Sequence, residues 1–146
     1  MTVHLTTRYH GIITVDSADE LSCPVRGLAD QWYLLSTHPH WPWMVLQAAH
    51  YPGLALAVCD PTIFWPAYGV QDPVPVAADD PTERAVLVVV TAGAVPTANL
   101  KAPLCIDRRT RTGMQVILNG PYAMDEPVPL VRHPSIRSKP HVVSHA

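Results

Sequence analysis

The residue types that do most protein chemistry are present in this chain, but at spacings that work against a catalytic centre. His38-Pro39-His40, with Trp41 and Trp43 close behind, offers the imidazoles of a metal site and the rings of an aromatic ligand cage. No carboxylate or cysteine stands at ligand spacing there and the proline restricts its neighbours, so the segment reads as a surface turn. The histidines His133, His141 and His145 can bind a metal weakly without that being their role. Serine hydrolysis on an α/β scaffold needs a Gly-x-Ser-x-Gly elbow, and none occurs. Asp79-Asp80 and Asp125-Glu126 pair carboxylates in proline-bounded stretches, where water keeps the two pKa values from being pushed apart. The glycines are dispersed, so nothing cradles a phosphate. Cys23, Cys59 and Cys105 lie far apart among apolar residues and prolines, with no Cys-x-x-Cys pair, which reads as reduced, buried thiols. Arg108, Arg109 and Arg111 form the one compact basic cluster, in the manner of a single-stranded RNA-binding barrel. Aromatics are not interleaved with it, so a soluble turn or an ion pair to Asp107 or the acidic loops is the plainer role. No catalytic residue, metal or cofactor is expected.

The elements that would have to position any site are strands. At 146 residues the chain fits one domain that can bury a core without disulfides or a structural metal. Hydrophobic residues make up 48% and charged residues 15%, too apolar for disorder and too interrupted for a membrane span. The first ten residues lack the apolar stretch and cleavage site of a secretory signal, which points to the cytoplasm. Sixteen prolines, recurring between Pro24 and Pro81, leave no room for a long amphipathic helix. Short runs rich in Val, Ile, Leu and aromatics, bounded by Gly, Pro, Asn or Asp, predict strands at 2–9, 11–15, 32–36, 43–48, 54–59, 84–92, 98–106 and 114–118.

His10-Gly11 predicts a tight hairpin turn, Asp16 to Asp19 a loop, and Arg109 to Gly113 a polar turn closed by its glycine. Leu54 to Val58 and Ala85 to Val90 are continuously apolar, as suits strands covered on both faces at the centre of the core. The Pro- and Asp-rich stretch from Gly69 to Glu83 reads as an exposed connection. The expected fold is all-β: a small, single-domain, barrel-like antiparallel structure with little helix, over residues 1–126. Residues 127–146, rich in Pro, His and basic side chains, are expected to be a flexible tail. Net charge is −2, yet residues 1–83 hold nine acids against two arginines (−7), and residues 84–146 eight basic residues against three acids (+5). Either the surface has two electrostatic faces, or interleaved strands scatter the charge.

Five blocks of sequence, in order between residues 9 and 118, resemble the FliW family of flagellar assembly factors. The most specific runs from Thr97-Ala98-Asn99-Leu100-Lys101-Ala102-Pro103 through Ile106-Asp107 to Gly113-Met114-Gln115, similar to the family's T-x-N-L-x-A-P-x-x-I-N and G-x-Q pattern. Tyr9-His10-Gly11 resembles the early hairpin, and Gly27-Leu28 with Tyr33-Leu34-Leu35 the next block. Trp43 to Ala48 resembles the W-L-Q-S strand, and Leu54 to Pro61 the strand ending in Asp-Pro, followed by Phe64 and Pro66-Ala67-Tyr68. The chain departs from the pattern at Asp107, where the family has Asn. It departs again at Val70 to Pro81, which replaces an acidic, partly helical segment, and in its basic carboxy-terminal extension.

The resemblance implies a compact β-barrel that binds flagellin before export, as a chaperone does, and also binds the translational repressor CsrA. Free flagellin and CsrA would then compete for it, so that repression of flagellin translation is relieved by direct binding. An acidic face from the amino-terminal portion would complement the basic surface of an RNA-binding protein. An exposed groove, with Trp41, Trp43, Phe64, Trp65 and Tyr68 as candidates, would cap apolar flagellin helices. Gln47, Phe64, Tyr68, Asn99, Lys101 and Gln115 are the candidate partner-binding residues. Gln47 either satisfies buried backbone or meets the partner, and Asn99 suits a turn in which its side chain bonds nearby backbone. Pro103 marks an edge or bulge. The expectation is a monomer with no membrane or direct nucleic-acid partner; the alternative is an RNA-binding module using Arg108, Arg109 and Arg111.

Overall fold

The computed structural model describes residues 1–36, 42–69, 80–129 and 141–142. His38, His40, Trp41, the connection from Val70 to Asp79, and His133 and His145 lie outside the described residues.

The strands are β1 (Thr2–Thr6), β2 (Ile12–Asp16), β3 (Leu21–Ser22), β4 (Gln31–Ser36), β5 (Trp43–Ala48) and β6 (Ala55–Cys59). They continue with β7 (Arg84–Thr91), β8 (Thr97–Ala98), β9 (Leu104–Asp107), β10 (Thr112–Gln115), β11 (Glu126–Pro127) and β12 (His141–Val142). Helical geometry among the described residues is confined to 3-10 turns at Ser17–Asp19, Pro61–Ile63 and Pro81–Glu83. Each turn is capped by the aspartate before it, Asp16, Asp60 or Asp80, whose carboxylate accepts the backbone N–H two residues on.

The fold is all-β, as the strand pattern implies. Pairing runs β7-β6-β5-β4-β3-β10-β9, and β9 then pairs with the first half of β7, closing a barrel. Neighbours are antiparallel except β3 and β10, which run parallel where Ser22 meets Thr112. β7 is long enough to serve two partners on one side: Arg84 to Leu87 pair with β9, and Val90 and Thr91 with β8.

Alternation of side chains sorts the core. Inside the barrel lie Trp32, Leu46, Ala48, Val58, Leu87, Leu104 and Ile106, with Leu34 and Met44 packed against them. Trp32 is fully buried and its indole N–H donates to the Cys23 carbonyl at 2.9 Å. The β1–β2 hairpin covers one outer face, setting Leu5 and Val15 against Tyr33 and Leu35 of β4. The chain from Ala98 to Val128 covers another, where Leu100, Leu118 and Val128 pack on Val88 and Val90 of β7. Each such side chain contributes roughly 1.5–3 kcal/mol when fully buried. β7 is therefore covered on both faces, as its apolar run implies. β6 is covered only in part, because Ala57 is exposed.

Several elements differ from the expected ones, for local reasons. The first hairpin turn is wider than two residues. Thr7 N–H and Oγ1–H both donate to the Gly11 carbonyl, at 2.8 and 2.7 Å, while Gly11 takes the positive φ expected of it. The stretch 98–106 is two strands, because Asn99 Oδ1 accepts the N–H groups of Lys101 and Ala102 and folds the chain over before Pro103. In the β9–β10 turn the left-handed residue is Arg111 (φ 57°), not Gly113. Gly113 instead sits within β10, where an added Cβ would lie 2.9 Å from the Cys105 carbonyl oxygen. The folded domain also reaches past residue 126: Glu126 and Pro127 pair with β8, Val128 is buried, and His141 and Val142 pair with Ser36 and Leu35 of β4.

Candidate partner-binding surface

The loop leaving β6 brings several aromatic residues to one place. Asp60 caps the turn at Pro61, and the backbone N–H of Phe64 and of Trp65 donates to the Pro61 carbonyl, at 3.2 and 2.8 Å. This presents Phe64 to Trp43 of β5, stacked at 5.3 Å between ring centres, with Trp65 edge-on to Phe64 at 5.8 Å. All three are half-buried, and Ile63 beside them is 55% exposed. The result is an apolar ledge with its inner side anchored on the barrel and its outer side open. Tyr68 does not join it. Its ring is buried against Tyr122, and its hydroxyl donates to the Leu100 carbonyl at 2.6 Å.

The other candidate residues brace the scaffold. Gln47 is fully buried and has no surface to offer a partner. Its Oε1 accepts the Arg8 N–H at 2.9 Å, and its Nε2 lies within 3.1–3.4 Å of the carbonyls of Ala48, Tyr51, Pro52 and Leu54. Of its two proposed roles, satisfying buried backbone is the one observed. Asn99 builds the turn described above, and Lys101 Nζ donates to the Leu118 carbonyl at 3.3 Å. Gln115 accepts from the Arg26 N–H and donates to the Ala102 carbonyl, tying the 26–28 loop to β10's neighbourhood. The motif thus locks the barrel together.

Among the described residues the basic and acidic segments meet in places. Arg111 Nη2 donates to the Asp19 carbonyl at 2.7 Å and Arg108 Nη2 to the Thr82 carbonyl at 3.1 Å. The basic cluster binds backbone of the acidic loops, and Asp107 accepts the N–H groups of Arg109 and Thr110 within its own turn. Of the three arginines only Arg109 is exposed, a poor arrangement for reading RNA. An acidic group does persist at Asp16, Asp19 and Glu20. Burial first, and then these three carboxylates, raise the pKa of the Tyr33 hydroxyl. The thiols are buried and free, and burial pushes Cys23 and Cys105 up to about 11 and Cys59 to about 12. Among the described residues no group of three or more His, Cys, Asp or Glu could hold a metal ion.

The FliW protein family model matches residues 4–128. Relatives named flagellar assembly factor FliW include that of Moorella thermoacetica, 38% identical over 100 residues, which are 61% of this chain and 60% of the relative. The relative from Geobacillus sp. (strain WCH70) is 29% identical over 130 residues, covering 78% of this chain and 86% of the relative. That of Desulfovibrio desulfuricans is 34% identical, covering 90% of this chain and 84% of the relative. The crystal structure of a flagellar assembly factor FliW superposes with a TM-score of 0.73 at 26% identity, over 86% of this chain and 96% of the other. The match runs from the β1–β2 hairpin to the buried Val128, and so takes in both the closed barrel and the aromatic ledge. The chain belongs to the FliW family, a family of flagellar assembly factors and not of enzymes.

Proposed function

We propose that this chain binds flagellin before export and also binds a CsrA-type translational repressor, so that the two compete for it and flagellin synthesis follows flagellin consumption. The observation that carries the reading is the half-open ledge of Trp43, Ile63, Phe64 and Trp65 on a rigid barrel, in a chain of this family. A terminal flagellin helix with an apolar face would lie on that ledge, with Phe64 and Ile63 as its central contacts. The carboxylates of Asp16, Asp19 and Glu20, at the end of β2 and on the turn after it, suit the basic surface of an RNA-binding regulator. Such a protein acts in the cytoplasm as a single copy; no helix among the described residues is long and apolar enough to cross a membrane.

The test is titration of the purified full chain with monomeric flagellin and with the CsrA-type regulator of the same organism. Micromolar or tighter complexes are expected with both. Phe64→Asp should weaken the flagellin complex by about tenfold or more, because burying a charge on an apolar contact is costly. Asp19→Lys with Glu20→Lys should weaken the regulator complex and leave flagellin binding unchanged. Absence of any complex with either protein at micromolar concentration would sink the reading.

A further inference from the structure

One end of the barrel is not filled. The last residues of β4 and β9, the first of β3, β5 and β7, and the loop after β6 frame a cavity of about 380 Å3. That is at the lower end of the roughly 300–1,000 Å3 usual for small-molecule sites. Its floor is apolar, made by Leu21, Leu34, Met44, Ala85, Leu87 and Ile106. Its rim carries Arg84, Arg108 and Arg111, with Asp60 and Thr62. A barrel of this size ordinarily packs its interior with side chains, so an open apolar floor with arginines along its rim is unusual.

The rim is cationic in a specific way. Arg84, Arg108 and Arg111 line it together with the single carboxylate of Asp60, which already spends Oδ1 on the N–H and hydroxyl of Thr62. Arg108 Nε is buried with no hydrogen-bond partner among the described residues. Arg111 reaches the cavity from a left-handed backbone conformation that favours glycine, so its side chain is held there against local strain. Its charge is opposed by burial and by the neighbouring charge of Arg108, although Asp19 offsets part of this. An incoming anion would give Arg108 Nε an acceptor and offset the charge that burial and Arg108 oppose at Arg111.

We propose that this barrel mouth binds an amphipathic carboxylate, an apolar body lying on the floor and ending in one carboxylate received by Arg108 and Arg111. The planar guanidinium fork matches a carboxylate. A strongly hydrated phosphate dianion suits neither the apolar floor nor the proximity of Asp60. The same chemistry is presented by a medium-chain fatty acid and by the free carboxy-terminus of a polypeptide ending in aliphatic residues.

Both sources can be tested on the full chain by calorimetry and by amide chemical shifts in a labelled sample. The probes are octanoate, hexanoate, octanol, a peptide ending in Ala-Leu-Leu and its carboxy-terminal amide. The expected result is saturable binding of octanoate, of the free-acid peptide or of both, with shifts at Leu34, Ala85 and Ile106. Octanoate should exceed hexanoate by about fourfold per methylene. Octanol and the amide should bind about tenfold more weakly than the acids, as should the acids to Arg108→Gln, the loss of one charge-assisted hydrogen bond. Arg109→Gln, outside the cavity, should bind as the parent does. Octanoate alone assigns the site to fatty acids, and the peptide alone to a chain terminus. Failure of both to saturate at millimolar concentration overturns the proposal. So does equal affinity for acid and amide, a comparison that needs no variant to fold.

Discussion

Gln47→Met keeps the length and bulk of the side chain while removing its polar end, and so isolates what that end does. The carbonyls of Tyr51 and Leu54 have other partners, since they accept the N–H groups of Leu54 and Ala48 at 2.9 and 3.0 Å. The groups the substitution strands are the Arg8 N–H, bonded to Oε1 at 2.9 Å, and the carbonyls of Ala48 and Pro52, each 3.2 Å from Nε2. A stranded group costs about 1–3 kcal/mol, and at the lower end of that range the three sum to about 3 kcal/mol. For a domain of this size that lowers the melting temperature by roughly 6–10 °C. Urea denaturation followed by tryptophan fluorescence should show a lower midpoint at unchanged slope, because the loss is local and the surface exposed on unfolding is the same. Amide exchange should be faster at Arg8. A Met variant within about 0.5 kcal/mol of the parent, or an Arg8 amide protected as before, would refute the reading that Gln47 ties the hairpin turn to the 50–54 turn.

Other outcomes follow from the same structure. Gly113→Ala should destabilise by about 1–3 kcal/mol in urea melts, because its Cβ meets the Cys105 carbonyl at 2.9 Å and Cys23 Sγ at 3.2 Å. Tyr68→Phe loses one buried hydrogen bond to Leu100 and should cost about 1 kcal/mol by the same assay. The three thiols have folded pKa values raised from 9.0 to about 11 or 12. Their contribution is therefore whole below pH 9 and lost as pH rises toward the folded values, so stability should fall in alkali. At neutral pH all three should react with a disulfide reagent only as fast as the chain unfolds. Asp80 is held below its usual 3.8, first by the Thr82 N–H and then by the Thr82 hydroxyl. Its effect is present above that value and disappears as pH falls through the lowered one, so Asp80→Ala should flatten the acid limb of the stability profile.

The barrel strands of four or more residues were legible because apolar runs bounded by turn residues are a local signal. The two-residue strands β3, β8, β11 and β12 were not legible as separate strands, since two residues carry no periodicity and exist as strands only through their partners. The Asn99 turn was readable from its side chain, yet the apolar residues on either side of it read as one strand. Gly113 was read as a turn former when its role is to admit a neighbouring backbone, a contact made across the sheet. Phe64 with Trp43 was among the residues singled out, and the structure stacks them; Tyr68 and Gln47 carry similar sequence signals and turned out to be buried. The barrel-mouth arginines come from two places in the chain, the start of β7 and the β9–β10 turn. Arg84 in particular stands alone in sequence, and only the β7–β9 pairing brings it beside Arg108.

The parallel contact of Ser22 with Thr112 joins positions ninety apart (112 less 22) and is the seam through which the ring of strands closes. Until residue 112 has left the ribosome, β3 and β9 are free edges of a curled sheet, and the interior around Trp32 has no far wall. Such an open sheet is prone to pairing with other chains. Closure of the barrel thus waits on residue 112, and a chain that ends before it lacks the strand that joins β3 to β9.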